Sequence, residues 1–128
     1  MAETATSSRT AMSSYDPVPA AATRIRHGLR ALLRSWGLAA DRIEDALVVV
    51  EELVANVLDH ARTRFELSVR LAGDVLHLAV RDHSVGSPHL RAFDPQAVRG
   101  RGLQMVNALA VRWGYEQHSD GKTVWAEL

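Results

Sequence analysis

The chain has 128 residues, of which 47% are apolar and 23% charged, a composition typical of one soluble globular domain. Its 15 basic and 15 acidic residues cancel, so no overall positive field favours binding to nucleic acid or to an anionic membrane surface. The lack of cysteine excludes disulfides, thiol catalysis and cysteine-ligated zinc. Because no apolar run is long enough to span a membrane and no signal-peptide core is seen, we expect a cytoplasmic protein.

The first residues differ in composition from the rest of the chain. Residues 1–17 are rich in Ser, Thr and Ala and have no periodic apolar set, which predicts a disordered tail. From Pro19 to Trp36, apolar residues recur at spacings of three and four, and Gly37 then provides a helix stop. We therefore predict a tail over residues 1–17 and one folded domain over residues 18–128.

A second helix is predicted to begin at Asp41 as its N-cap, with Glu44 completing a capping box, and to run to Ala61. Its apolar side is continuous, which indicates that this side is buried against the rest of the domain. The apolar residues are Leu47, Val50, Leu53, Val54, Val57 and Ala61.

The same helix carries Glu52, Asn56 and His60 at intervals of four residues. At about 3.6 residues per turn, an α-helix brings these side chains onto one face. An Asn oxygen is a suitable ligand for Mg²⁺, and a Glu one turn earlier could orient a nucleophile beside a metal-bound phosphate. Considered alone, three such residues more often form an ordinary solvated face.

A β-hairpin follows the second helix. Apolar and polar residues alternate from Phe65 to Leu71 and again from Leu76 to Val80, with a turn at residues 73–74 between them. Asp82 then stands at the end of the second strand, where its carboxylate could accept hydrogen bonds from a ligand or stabilise the turn.

The last part of the chain begins with a glycine pair. Gly100 and Gly102 precede a helical pattern, and glycines at a helix start let backbone N–H groups approach an anion, although a simple turn has the same spacing. Two strands are predicted at residues 111–117 and 122–128, joined by a turn at residues 119–121. Lys122, the only lysine, could reach a phosphate or could be an exposed hairpin residue.

Three motifs stand in a fixed order: Glu-x-x-x-Asn on a helix, Asp after a strand with a Gly four residues later, and Gly-x-Gly-Leu opening a helix. In this order they resemble the GHKL, or histidine-kinase-like, ATPases. The stretches 52–61, 100–110 with Arg112-Trp113-Gly114, and 121–125 are similar to the single-domain branch of anti-sigma-factor serine kinases in particular. The resemblance covers roughly residues 18–128. It implies an α+β fold, a two-layer sandwich in which a mixed, mostly antiparallel sheet is covered on one face by three helices.

The resemblance also implies a site for ATP and Mg²⁺. Asn56 would bind the metal, Glu52 would act as the general base, and Asp82 would accept the adenine amino group. The residues that would contact the nucleotide besides these are His60, Gly86, Gly100, Arg101, Gly102, Leu103 and Lys122, and the segment between Gly86 and Gly100 would be the ATP lid.

The implied activity is ATP-dependent phosphorylation of a serine or threonine in an antagonist protein of the anti-anti-sigma type, with a sigma factor as a second partner and a homodimer as a possible assembly. Two residues or segments depart from the family pattern. Ser84 replaces the first glycine of the family's Asp-x-Gly-x-Gly, and residues 12–16 are a poor match to the strand that opens the family fold. A nucleotide-binding fold that serves only as a partner-binding module is therefore the alternative function. A small α/β protein without a nucleotide would require all three motifs to be coincidental.

Overall fold

The described elements form two layers, one of helices and one β-sheet. The computed structural model describes residues 8–84 and 100–128, the side chains of residues 100–104 excepted. The elements in chain order are β1 (Ser8–Tyr15), α1 (Pro19–Ser35), α2 (Ala40–Asn56), a π-helical turn (Val57–Ala61), β2 (Phe65–Ala72), β3 (Val75–Asp82), α3 (Gly100–Leu109), β4 (Arg112–His118) and β5 (Gly121–Glu127). The predicted α+β architecture, with three helices against one sheet, is confirmed.

The sheet has five strands in the order β1-β2-β3-β5-β4. All four described strand pairings are antiparallel, so the described sheet is purely antiparallel rather than mixed. Alternate residues of β2 and β3 face the helices and are buried, and Leu67 of β2 lies directly opposite Val80 of β3. This period-2 burial is the pattern from which the hairpin was predicted.

The helices cover one face of the sheet with apolar side chains. α1 buries Ala21, Ile25, Leu29 and Leu33, and α2 packs against α1, α3 and β3. On the outer side, Arg26 binds Glu51 at 2.6 Å and Arg30 binds Glu44, so two of the α1 arginines pair within the chain. These pairs are exposed and contribute little stability compared with the apolar contacts. None of the helices within the described ranges is long and apolar enough to cross a membrane.

The opposite face of the sheet carries an aromatic contact. Trp125 of β5 stacks on His77 of β3, with ring centroids 5.9 Å apart. Its ring also lies over Gly114 of β4, where an added Cβ would come within 3.1 Å of Cζ2. Next to this glycine, the Trp113 indole N–H donates to Oδ1 of Asn107 and ties β4 to α3. These contacts explain why a Trp-Gly pair suits the start of β4.

The prediction of disorder before residue 17 is wrong for residues 8–15. These residues form β1, which pairs with β2 from Ser8 opposite Ala72 to Tyr15 opposite Phe65. β1 is an edge strand, and most of its side chains are exposed, Met12 by 69%. A strand of this kind is stabilised by its backbone ladder, so its side chains give no alternating apolar signal.

Both ends of the second helix differ from the sequence prediction. Its N-cap is Ala39, with no side-chain cap, while Asp41 lies in the first turn and Glu44 binds Arg30 instead of closing a capping box. The α-helix ends at Asn56, and a π-helical turn continues the helical segment to Ala61. The predicted end at Ala61 is therefore correct, but the last turn is π-helical and not α-helical.

Candidate functional site

Glu52 and Asn56 lie one turn apart at the end of α2. Asn56 is the last residue of the α-helix and is only 9% exposed. Within residues 8–84 and 100–128, neither its amide nor the half-buried Glu52 carboxylate has a hydrogen bond or an ion pair. None of the described side-chain nitrogen or oxygen atoms is both buried and unpaired, so the Asn56 amide atoms reach solvent and are open to a ligand.

The π-helical turn changes the position of His60. The Arg62 N–H donates to the Val57 carbonyl at 2.8 Å, an i to i+5 bond that makes this turn wider than an α-helical turn. The α-helical spacing that was expected to place His60 one turn beyond Asn56 therefore does not hold there, and His60 is exposed. Its contact with phosphate stays a prediction.

Asp82 lies at the end of β3 in a buried network of hydrogen bonds. The Lys122 ammonium donates to Oδ2 at 2.7 Å, and Ser84 donates to Oδ1 from its backbone N–H at 3.0 Å and from its hydroxyl at 2.7 Å. Burial raises the pKa of Asp82, but the hydrogen bonds from Lys122 and Ser84 outweigh it, and the net pKa lies below the ordinary value. The side chain is therefore an ionised, acceptor-only carboxylate at neutral pH.

Lys122 differs most from its sequence interpretation. It is 7% exposed and pairs with Asp82 across neighbouring strands, so it is not an exposed hairpin lysine. Alternation along β5 could have revealed this, because the same period that places Val124 and Ala126 in the core also places Lys122 inward. The contact of Lys122 with a phosphate stays a prediction. Its observed contact is with the carboxylate of Asp82, the residue expected to bind the base.

A glycine permits the close approach of β5 to the end of β3. Gly121 has a φ of +153°, and an added Cβ would lie 2.1 Å from the Asp82 carbonyl oxygen. Only glycine can occupy this position without displacing the backbone that carries Asp82.

The predicted phosphate-binding segment forms the first turn of α3, which begins at Gly100 rather than at Leu103. The first N–H groups of a helix have no partner within it, and the helix dipole favours an anion at that end. Val106 of α3 is fully buried, and α3 packs against α2. The side chains of Arg101 and Leu103 are outside the description, as are Gly86 and the predicted lid.

The described residues contain no group of three or more His, Asp and Glu side chains that could hold a metal ion. A metal site formed by three or more such side chains is thus not seen in that part of the chain. Mg²⁺ is also bound with one or two protein ligands plus phosphate oxygens, and this second arrangement is compatible with a lone Asn56 amide.

The family model of the histidine kinase-like ATPase domain matches residues 16–128. The chain belongs to this family. Membership in the family confirms the resemblance inferred from the three motifs. No curated protein matches the chain at a significant level.

Among solved structures, the chain is similar to the crystal structure of the RsbU and RsbW domains of Rv1364c from Mycobacterium tuberculosis, with a TM-score of 0.71 and 22% sequence identity. The match covers 93% of this chain and 32% of that one. The likeness therefore establishes the fold alone. The activity of that longer protein is not assigned to this chain.

An ATPase domain implies a bound nucleotide, and the described residues fit one. Asp82 offers an ionised acceptor suitable for the amino group of a base, and Asn56 offers an uncommitted amide oxygen for a metal. The N-terminus of α3 offers backbone donors for phosphate.

Proposed function

We propose that the chain binds ATP with Mg²⁺ and transfers a phosphoryl group to a serine or threonine of an antagonist protein, as anti-sigma-factor kinases do. The observation that carries the proposal is the Glu52–Asn56 pair at the end of α2. Asn56 is 9% exposed, and its amide atoms reach solvent without a described protein partner. The half-buried Glu52 carboxylate also lacks a described partner, so both groups are open to a ligand.

In the proposed reaction, the γ-phosphoryl group would pass from ATP to the acceptor hydroxyl, and ADP would leave. Asn56 would hold Mg²⁺ through its amide oxygen, and the metal would supply positive charge near the phosphates. Glu52 orients the acceptor hydroxyl and takes its proton. The N–H groups that begin α3 at Gly100 bind phosphate oxygens, and Asp82 accepts a hydrogen bond from the adenine amino group.

The proposed partners are an antagonist of the anti-anti-sigma type, which is the substrate, and a sigma factor that is sequestered when the antagonist is absent. Family membership and the fold shared with a structure that includes an RsbW domain support this assignment. A homodimer and a cytoplasmic location belong to the same proposal.

Two variants on one helix test the assignment of the base. Glu52→Ala is expected to leave the Kd for Mg·ATP within about threefold and to reduce phosphoryl transfer by at least about 100-fold, because proton transfer is lost while binding is not. Glu51→Ala is the matched control, since Glu51 is the adjacent residue and binds Arg26 on the outer side of the helix. The readouts are isothermal titration of ATP and mass spectrometry of co-incubated antagonist proteins. Unchanged transfer by the Glu52 variant would show that this residue is not the base.

Titration of the wild type with ATP, in Mg²⁺ and in EDTA, separates the two candidate functions. Micromolar binding that requires Mg²⁺ supports the kinase. The second candidate is a partner-binding module without catalysis, and it is favoured by the Ser84 hydroxyl bonded to Asp82, the residue expected to receive adenine. No binding up to millimolar ATP would establish this second function and end the kinase proposal.

A further inference from the structure

The Asp82–Lys122 pair is unusual among the ion pairs that the structure describes. Its two side chains are 2% and 9% exposed, whereas in every other described pair at least one partner is 25% exposed or more. A buried ion pair is weak support for stability, because desolvation of both charges offsets their attraction. The fold alone therefore gives little reason for a lysine at this position.

The hydrogen bonds leave one acceptor position on the Asp82 carboxylate. An ionised carboxylate has about four acceptor sites, two on each oxygen. Ser84 donates two hydrogen bonds to Oδ1, and Lys122 donates one to Oδ2. The remaining site is on Oδ2, the oxygen whose position Lys122 fixes.

We propose that Lys122 is a positioning residue for base selectivity, which holds Asp82 ionised and in one orientation so that its remaining acceptor site selects a base bearing an amino group. This inference rests on the proposed nucleotide site and adds a role for Lys122 within it. Lys122 acts through Asp82, not on the phosphates. The lowered pKa of Asp82, to which the Lys122 hydrogen bond contributes, agrees with this role.

The selectivity has a simple physical basis. A carboxylate that accepts the amino hydrogen of adenine gains a charge-assisted hydrogen bond, and a purine without that amino group leaves the acceptor unpaired. Without Lys122, the buried carboxyl would be protonated more readily or would turn toward solvent, and the preference for the amino group would be lost.

The test compares ATP with purine riboside triphosphate, which differs only in lacking the 6-amino group. We expect the wild type to bind ATP at least about tenfold more tightly, since a hydrogen bond to a charged group contributes about 1.5–3 kcal/mol. Lys122→Met is expected to reduce this ratio below about threefold, and Lys122→Arg, which keeps the cation, to restore it. Arg70→Met on the exposed face of β2 is a control that should leave the ratio unchanged.

The ratio of two affinities distinguishes positioning from a structural or phosphate-binding role. If Lys122 only supports the fold or contacts phosphate, Lys122→Met lowers both affinities by the same factor and the ratio persists, which would overturn the inference while the nucleotide site stands. If the wild type binds neither nucleotide, the proposed function fails and this inference fails with it.

Lys122→Met leaves a buried carboxylate without its partner and could unfold the domain. The double variant D82N/K122M avoids this, because it removes both charges together. It is expected to melt cooperatively by circular dichroism and to bind both nucleotides with a ratio near one. A folded double variant that keeps the wild-type ratio would overturn the role of the pair.

Discussion

Ser84 donates two hydrogen bonds to Oδ1 of Asp82, one from its backbone N–H and one from its hydroxyl. Ser84 stands where the family pattern has a glycine, so it adds a Cβ and a hydroxyl beside this carboxylate. The hydroxyl fills one acceptor site on Oδ1, which leaves only the Oδ2 site to a ligand. In the proposed nucleotide site, Ser84 would therefore limit the hydrogen bonds that Asp82 can accept from the base.

Ser84→Ala is therefore expected to increase affinity for ATP by about fivefold, which corresponds to about 1 kcal/mol for one hydrogen bond. The backbone N–H of residue 84 still orients Asp82 in this variant. Isothermal titration measures the change, and Ser68→Ala on β2 provides a serine control away from Asp82. An unchanged or weaker affinity would mean that the hydroxyl does not compete with the base.

Sequence spacing predicted the positions of some candidate site residues and missed the contacts between others. The four-residue interval between Glu52 and Asn56 and the position of Asp82 at a strand end follow from local periodicity. The Asp82–Lys122 pair depends on the register of β3 and β5, which a motif in one segment does not contain. The π-helical turn before His60 likewise has no sequence signal comparable to proline or glycine.

At the scale of elements, the start of β5 is sterically constrained, because among the described glycines Gly121 is the one where an added Cβ would lie nearest to another atom. Gly121→Ala would place a Cβ against the Asp82 carbonyl at a φ that other residues rarely adopt. We expect a loss of about 2–4 kcal/mol in unfolding free energy, from backbone strain and steric overlap together. Urea denaturation followed by circular dichroism measures this loss.

Gly28→Ala is the matched control, because Gly28 lies within α1 and has open space around its Cα. This substitution is expected to stabilise the domain by about 0.5–1 kcal/mol through helix propensity. If both glycine variants had the same stability, the close approach of β5 to β3 would not be a constraint.

The regular elements were predictable because their side chains are half-buried. α1, α2, the β2–β3 hairpin and β5 all have an apolar face with the period of their structure. β1 was missed because an edge strand with exposed side chains is specified by its partner. The capping box was wrong because Glu44 makes a tertiary contact with Arg30, which local sequence does not indicate.

At the scale of the whole molecule, the Asp82–Lys122 pair makes the unfolding free energy depend on pH. A carboxyl whose pKa is lower in the folded state stabilises the fold above its unfolded pKa, and this contribution is lost as the pH falls through its folded pKa. Relative to D82N/K122M, the wild type is expected to keep a constant stability difference from about pH 7 to about pH 5. Below about pH 4 this difference in unfolding free energy is expected to fall by up to about 1.4 kcal/mol per pH unit.

Urea denaturation of both proteins across this pH range measures the difference. Parallel stability curves down to about pH 2 would show that Asp82 does not titrate differently in the folded and unfolded states.

The sheet order has a consequence for the sequence of events during synthesis. β1 leaves the ribosome before β2, the strand with which it pairs in the described sheet, and two helices separate them in the chain. β2 and β3, in contrast, are joined by a two-residue turn and can pair as soon as both are made. β1 therefore has no described strand to pair with until both helices and the edge of the later hairpin have been made.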